Sequence, residues 1–358
     1  GPYKSARSTV ETLKSTLISV HTDEGLIGWG EVCPYGANYL PAMPDGVLVV
    51  LKELGPALIG RNPCKLEELN LVMDQVVEQQ YYAKTGLDYA CWDIFGQSVG
   101  MPVHDLLGGR MTDTMELIAS VPGSVDGMRQ ALEHYQAKGY RQYSLHIAAP
   151  NFNDMAIYRE IVEGFGSDKT VIVDANRSWD LATAIRVCKF FGDLDIYVEQ
   201  PCYTLSQCAA LRPKIGLPMI LDELIVTTDD VLLAGGQGVS DAIALKIGRV
   251  GGLTKARRIC DIADAMGLPY WIKDVIGAEV ATLATAHLAH SRSLKMMRGA
   301  LSCTDIVDRV TGAASLVSEN GEMYVTSDCI GLGFTPDMDV LGSPVATYSA
   351  SHPQGQYS

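Results

Sequence analysis

The sequence predicts an α/β protein whose larger part is a (β/α) barrel, and three observations carry that reading. After Met111, short apolar strands alternate with amphipathic helical stretches. Most of those strands end on a polar or charged residue, at His146, Asp174, Glu199, Asp222, Lys246 and Lys273. The gaps between these ends are 28, 25, 23, 24 and 27 residues, an even β-loop-α period that recurs seven or eight times. An open doubly wound sheet is the rival architecture. It is disfavoured because no Gly-rich phosphate fingerprint follows a strand; Gly235–Gly236–Gln237–Gly238 follows a helical stretch and reads as a turn.

Ahead of the barrel, Ser15 to Val20 and Gly28–Trp29–Gly30–Glu31 alternate like an antiparallel hairpin turning at Asp23–Glu24–Gly25. Apolar residues then recur at helical spacing from Val47 to about Ile59, and in one run from Leu66 to about Ser98. Pro102 and Gly108–Gly109 punctuate the chain and mark a boundary near residue 110. The predicted barrel strands are Glu116–Ser120, Tyr143–Ile147, Thr170–Asp174, Ile196–Glu199, Met219–Asp222, Ala242–Lys246 and Tyr270–Lys273, with a weaker eighth at Ala300–Cys303.

Composition narrows the function classes. The 358 residues are 47% hydrophobic and 20% charged, as in an ordinary globular chain rather than a disordered one. With 28 Lys+Arg against 42 Asp+Glu the formal charge is −14, and no basic stripe appears. That argues against a nucleic-acid or anionic-membrane partner. No apolar run approaches the roughly 18–20 residues of a bilayer span and no signal peptide is evident, so a cytoplasmic protein is expected. Nine scattered cysteines without a CxxC pair read as buried reduced thiols. The expected partners are a small-molecule carboxylate substrate and further copies of the chain, in a homo-oligomer.

Barrel enzymes build their sites at the C-terminal ends of the strands. Asp174, Glu199 and Asp222 would therefore stand side by side on three consecutive strands. Three facing carboxylates repel and raise one another's pKa unless a cation neutralises them. All-oxygen ligation with room for water and substrate suits Mg²⁺. His146 and Lys246 flank the triad as candidate bases. A lysine beside a bound cation has its ammonium form disfavoured, and imidazole both accepts and donates protons near neutrality. Tyr35 and Tyr39, in the polar loop after the hairpin, are candidates for closing the site over substrate.

These residues resemble the enolase superfamily, in its mandelate racemase and muconate-lactonizing branch. The matching pieces are Val173–Asp174–Ala175–Asn176–Arg177–Ser178–Trp179, Val198–Glu199–Gln200–Pro201, Leu221–Asp222–Glu223 and Lys246–Ile247–Gly248–Arg249–Val250–Gly251–Gly252. The run from Ala83–Lys84 to Trp92–Asp93 matches too. The resemblance spans essentially the whole chain. It implies a modified (β/α)7β TIM-type barrel over residues 111–315, capped by an α+β domain from both chain ends, 1–110 and 316–358. It also implies Mg²⁺ on Asp174, Glu199 and Asp222, with Asn176 and Glu223 in support, and abstraction of a proton α to a carboxylate by Lys246. The chain begins late by comparison: the opening lid strand usual in this family is missing before Gly1, which suggests truncation, disorder or a different start.

Within the branch the likeness runs to cis-3-hydroxy-L-proline dehydratases and 4-hydroxyproline betaine 2-epimerases, on Glu31–Val32–Cys33–Pro34, Glu199–Gln200–Pro201–Cys202 and Gly331–Leu332–Gly333. Two segments depart from the pattern. The usual Lys-x-Lys of the second strand is Ser144–Leu145–His146, and Ile147–Ala148–Ala149–Pro150 replaces a glycine pair. Near the seventh strand, an acidic pair and Trp-Gly-Gly give way to Lys273–Asp274–Val275–Ile276–Gly277–Ala278–Glu279, which makes Lys273, Asp274 and Ile276 candidate substrate contacts. The leading expectation is dehydration of a hydroxyproline-like β-hydroxy amino acid or related hydroxy acid. The alternatives are a racemase or epimerase using Lys246 and His146 on opposite faces, and a metal-binding homologue without catalysis.

Overall fold

The computed structural model describes residues 3–4, 9–10, 12–36, 39, 41–148, 150–165, 168–273, 276–302, 307 and 310–357. Eight parallel strands run in chain order: Ile118–Val121, Gln142–His146, Thr170–Asp174, Tyr197–Glu199, Met219–Leu221, Ala242–Lys246, Tyr270–Lys273 and Met297–Ala300. Each pairs with the next, and a parallel bridge from Leu117 to Ala300 brings the last strand back to the first. Seven longer helices connect them: Val125–Ala137, Met155–Glu163, Leu181–Phe190, Leu205–Leu211, Thr228–Gly236, Leu253–Met266 and Glu279–His290, with a four-residue helix Ile247–Val250 directly after the sixth strand. The barrel is therefore of (β/α)7β type.

The strand period explains where the site lies. Side chains alternate inward and outward, so residues two apart share a face. Ile118, Ile172, Ile220, Ala242, Ala244 and Trp271 form the inner plug, with Tyr197 packed against it. Two residues beyond Ile172, Tyr197, Ile220, Ala244 and Trp271 stand Asp174, Glu199, Asp222, Lys246 and Lys273. Each is the next inward position, at the open end of the barrel. The outward residues Ile243 and Leu245 instead join the large core under the helices.

Three predicted elements differ from the structure. The predicted first strand Glu116–Ser120 is split: the barrel strand is Ile118–Val121, while Glu116 belongs to the separate strand Met115–Glu116, which pairs with Glu322–Val325. The eighth strand is Met297–Ala300, three residues earlier than the predicted Ala300–Cys303, whose end at Cys303 lies outside the described residues. Exposed Arg298 and buried Gly299, which has no side chain, break its apolar pattern. A Cβ at Gly299 would fall 2.8 Å from Gln142 Oε1 and would have to move that amide, which bonds Glu116, Arg298 O and Trp271. The helical run from Leu66 to Ser98 is two helices, Leu66–Val76 and Tyr81–Val99, separated where Gln79 and Gln80 adopt φ of 55° and 44°.

The lid opens with a short antiparallel pair, Tyr3–Lys4 with Thr9–Val10, and continues with the hairpin Thr16–His21 and Ile27–Val32, turning at Gly25, then the helix Pro44–Leu58 and the two helices just named. The hairpin lies directly on the helix Tyr81–Val99. A Cβ on Gly30 would sit 1.7 Å from Gly86 O, and one on Gly28 would sit 2.1 Å from Ala90 O. Buried acids tie this helix to the rest of the chain. Asp88 accepts from Asn70 Nδ2 and from Thr254 N and Oγ1, while Asp93 accepts from Trp29 N and Leu332 N. The C-terminal segment returns across the same region: Glu322–Val325 pairs with Met115–Glu116, and Tyr348 lies against Gly55 of the first lid helix.

At the barrel end away from the mouth, His104, His287 and His290 cluster where the lid linker, the last barrel helix and the C-terminal segment meet. His104 N donates to His287 Nδ1 at 3.1 Å, and His287 Nε2 lies 3.1 Å from Leu332 O. His290 Nε2 accepts from Val325 N at 3.0 Å, and its Nδ1 reaches Thr112 O at 2.8 Å. The eight cysteines in the described part of the chain are free thiols, seven of them buried. Among the described residues no helix is long and apolar enough to cross a membrane.

Candidate metal and catalytic site

Asp174, Glu199 and Asp222 are buried, and one carboxylate oxygen from each lies within 4.8 Å of the others. The strands that carry them are neighbours in register, Asp174 opposite Glu199 and Glu199 opposite Ile220. The triad is differently supported at its two ends. At the Asp222 end the partners are cations: Lys246 Nζ is 2.8 Å from Oδ2 and Arg249 Nη2 donates to Oδ1 at 2.7 Å. Arg249 is itself buried and also donates from Nε to Ile225 O. At the Asp174 end the closest donors are neutral amides, Asn176 N to Oδ1 and Asn176 Nδ2 to Oδ2, both at 2.8 Å. Between them, Lys273 Nζ donates to both oxygens of Glu199 at 2.8 and 2.9 Å.

His146 stands at the Asp174 end. Its Nδ1 faces two acceptors, Asn176 Oδ1 at 3.1 Å and Asp174 Oδ2 at 3.4 Å, so in the neutral ring the proton belongs on Nδ1. Nε2 then accepts from Ser120 Oγ at 3.0 Å. Glu223 is buried near Asn176, and its Oε2 has no hydrogen-bond partner among the described residues.

The charges shift accordingly. Burial first, then Asp174 and Asp222, push the Glu199 carboxyl up to about 7, with Lys273 opposing. Burial, then Asp222 and Asp174, push Glu223 up to about 8. For Asp222 burial acts upward, but Lys246, Arg249 and Lys273 outweigh it and hold the carboxyl well below the ordinary range. Burial opposes the Lys273 ammonium, yet Glu199, Asp222 and Asp174 raise its pKa. A cluster in which two carboxyls are driven toward the neutral form is one that an added cation relieves.

The lid reaches this site through Tyr39. Lys246 Nζ donates to its hydroxyl, which donates in turn to Asp222 Oδ2 at 3.2 Å. Tyr35 packs edge-on against Tyr39 with ring centroids 5.5 Å apart, and both are buried rather than surface turn residues. Ile276 is buried in the same lid cluster. Asp274 lies outside the described residues.

Several residues at the site had no role assigned from sequence. Arg177 Nη2 donates to the Tyr39 carbonyl and its guanidinium stacks 5.0 Å over Tyr203, fastening the tyrosine loop to the barrel. Glu31 accepts from Ala278 N, Ala281 N and Ser15 Oγ, and so clamps the hairpin to the start of the last barrel helix. Gln200, at φ 37°, accepts from Asp222 N and Leu224 N and sets the turn after the fifth strand. Arg249 and Ser120 complete the set. Only quoted motif segments flagged Arg177, Glu31, Gln200 and Arg249; no residue pattern marked Ser120.

Residues 1–108 match the mandelate racemase / muconate lactonizing enzyme N-terminal domain, and residues 127–340 match the enolase C-terminal domain-like family. The chain belongs to the mandelate racemase/muconate lactonizing enzyme family. It is 38% identical over 346 residues to a cis-3-hydroxy-L-proline dehydratase of Roseibium aggregatum, covering 95% of this chain and 93% of that one. A muconate cycloisomerase 1 of Pseudomonas putida is 31% identical, over 80% and 78% of the two chains. A family member from Roseovarius nubinhibens superimposes with a TM-score of 0.93 at 32% identity, covering 98% and 94%. Another enolase-superfamily structure from that organism, complexed with magnesium, gives 0.91 at 34% identity over 98% and 95%. The family's members among its relatives include dehydratases, cycloisomerases and epimerases, all lyases or isomerases.

Proposed function

We propose that this chain is a Mg²⁺-dependent enzyme that removes the proton α to a carboxylate, and that its reaction is dehydration of a hydroxyproline-like β-hydroxy amino acid or a related hydroxy acid. The observation that carries the reading is Lys246 set 2.8 Å from Asp222, within a buried triad of carboxylates on consecutive strand ends. The whole-length identity to a cis-3-hydroxy-L-proline dehydratase supports the reaction and substrate class.

The residues present fit a hard divalent cation. The donors are oxygens only, Glu199 and Glu223 are driven toward the protonated form, and Glu223 Oε2 is buried with no partner among the described residues. Asp174, Glu199 and Asp222 would hold the ion, with Asn176 and Glu223 behind them. Bound there, Mg²⁺ would neutralise the charge that develops on the substrate carboxylate. The chain's own groups do the rest. Lys246, in its amine form, takes the Cα proton onto Nζ, while Tyr39 and Asp222 aim the nitrogen. The electron pair of the broken C–H bond forms the C=C bond as the β C–O bond breaks. His146, entering the step as the imidazolium, gives the departing hydroxide a ring proton and is left neutral, and water leaves. Tyr35 and Ile276 wall the pocket on the lid side, keeping solvent from the reacting carbon.

Removing the metal tests this directly. EDTA abolishes turnover of cis-3-hydroxy-L-proline or of an active hydroxy acid, and Mg²⁺ restores it; full activity in metal-free buffer refutes the proposal. A second reading, 1,1-proton transfer, is favoured by the positions of His146 and Lys246 at opposite ends of the triad. Reaction in D₂O separates the two. Loss of water supports the dehydratase, whereas deuterium at Cα of an inverted, intact substrate supports the epimerase.

A further inference from the structure

The three carboxylates of the triad are neutralised in different ways, and Glu199 is the unusual one. Asp174 is held by the amides of Asn176 and faced by His146. Asp222 is held by Arg249, whose guanidinium is fixed by Ile225 O and Asp222 O as well. Glu199, wholly buried, has both side-chain oxygens covered by one lysine at 2.8 and 2.9 Å. Among the described residues no other side chain bonds that carboxylate. Lys273 is 5% exposed and follows Trp271, the largest side chain of the inner plug, on the same face of its strand. Its register partner is Lys246, so the two ammonium groups come from adjacent strands, and each contacts a different member of the triad.

A divalent cation that takes an oxygen from each of the three acids must therefore share Glu199 with an ammonium or move it. Counting Asp174, Glu199, Asp222 and Glu223 against Lys246, Arg249 and Lys273 gives a formal charge of −4 + 3 = −1 around the site. Without Lys273 it is −2. Like charges a few ångströms apart in a buried site repel strongly, because little solvent screens them.

We propose that Lys273 is an internal counter-ion of Glu199 that the divalent cation displaces. It stabilises the buried carboxylate before the cation arrives and lowers the affinity of the triad for it. Cation binding is then an exchange, in which the Lys273 ammonium leaves Glu199 and turns toward the pocket. This rests on reading the triad as a divalent-cation site.

The experiment titrates Mg²⁺ calorimetrically into the metal-stripped full-length protein, comparing wild type with K273M, K273Q and K273R. K273M and K273Q remove the charge at similar length and bind Mg²⁺ about tenfold or more tightly than wild type. K273R keeps the charge and stays within a few-fold of wild type. In parallel, the metal-free neutral variants melt at lower temperature than wild type and gain more from saturating Mg²⁺. Two neutral variants are used so that a folding failure of one leaves the comparison intact. Equal or weaker Mg²⁺ affinity in the neutral variants, with wild type binding normally, overturns the counter-ion role alone. Absence of Mg²⁺ binding to wild type overturns the cation site itself, and this inference with it.

Discussion

The mouth of the barrel and the histidine seam at its other end both bury titratable groups, and they satisfy them by opposite means. At the mouth, charges face charges: Lys246 and Arg249 on Asp222, Lys273 on Glu199. At the seam, backbone groups meet ring nitrogens: His104 N and Leu332 O on His287, Val325 N and Thr112 O on His290. Burying ions is costly even when they are paired, and an apolar or neutral arrangement is often as stable. The seam shows that this fold can join three chain segments through neutral polar contacts. The retained charges of the mouth therefore point to chemistry rather than to holding the barrel together.

The largest effect expected from breaking the contrast is at Lys246. Lys246→Ala removes the proposed base and lowers the rate of α-proton exchange by about 10²–10⁴-fold, read by deuterium incorporation in D₂O. Mg²⁺ binding persists, because the carboxylates remain.

Arg249→Met strikes the same carboxylate without touching substrate. It leaves Asp222 buried beside one fewer cation, and chemical denaturation should show a loss of about 3–5 kcal/mol. The unfolding midpoint of this variant should recover in part with Mg²⁺.

The seam responds to pH instead. Burial, then the neighbouring His104, push the His287 pKa down to about 3; burial and neighbouring cationic groups push His290 down to about 4. Both rings are neutral when folded and titrate near 6.5 when unfolded. The unfolded chain thus binds the extra protons first. Stability is fully present above about pH 6.5 and falls as pH drops toward 4, at up to roughly 1.4 kcal/mol per pH unit for each ring. His287→Gln should be less stable at pH 7 yet show a shallower decline between pH 6.5 and 4.5. An unchanged slope would mean that this ring is not the one titrating.

Tyr39→Phe is the mildest test. It keeps the ring in the lid cluster and deletes the hydroxyl between Lys246 and Asp222. Turnover should fall roughly tenfold, the scale of one hydrogen bond to a charged group, with Mg²⁺ affinity little changed.

The parts of this arrangement that were legible in the sequence are those fixed by local periodicity. Asp174, Glu199, Asp222, Lys246 and Lys273 could be placed together because each ends an apolar strand in an evenly spaced series, and strand alternation sends them all inward. The eighth strand was misplaced because Arg298 and Gly299 hide its pattern, and Gly299 answers to Gln142 on a distant strand. The break at Gln79 and Gln80 carries no proline or glycine to announce it. Arg249 stood in the sequence only as one member of the Lys246–Gly252 segment, and its burial depends on the carbonyls of Asp222, Ala244 and Ile225. Ser120 is one serine at a strand end until the fold sets it beside His146. Such residues are defined by tertiary neighbours, and single-sequence patterns do not contain them.

The contact of Gly28 and Gly30 with the backbone of Gly86 and Ala90 has a consequence for how this lid can evolve. Any side chain at either glycine collides with main-chain atoms that have no rotamer to retreat into. The hairpin and the central lid helix are thus welded into one plate, and Glu31 on that hairpin rivets the plate to the barrel at Ala278 and Ala281. A lineage that needs a differently shaped pocket gains nothing by tilting the plate, because the tilt would have to begin at the weld. Its freedom is confined to the stretch hung from the plate's edge, from Cys33 onward, where Tyr35 and Tyr39 sit. New substrates would be reached by rewriting that stretch, with the plate inherited unchanged.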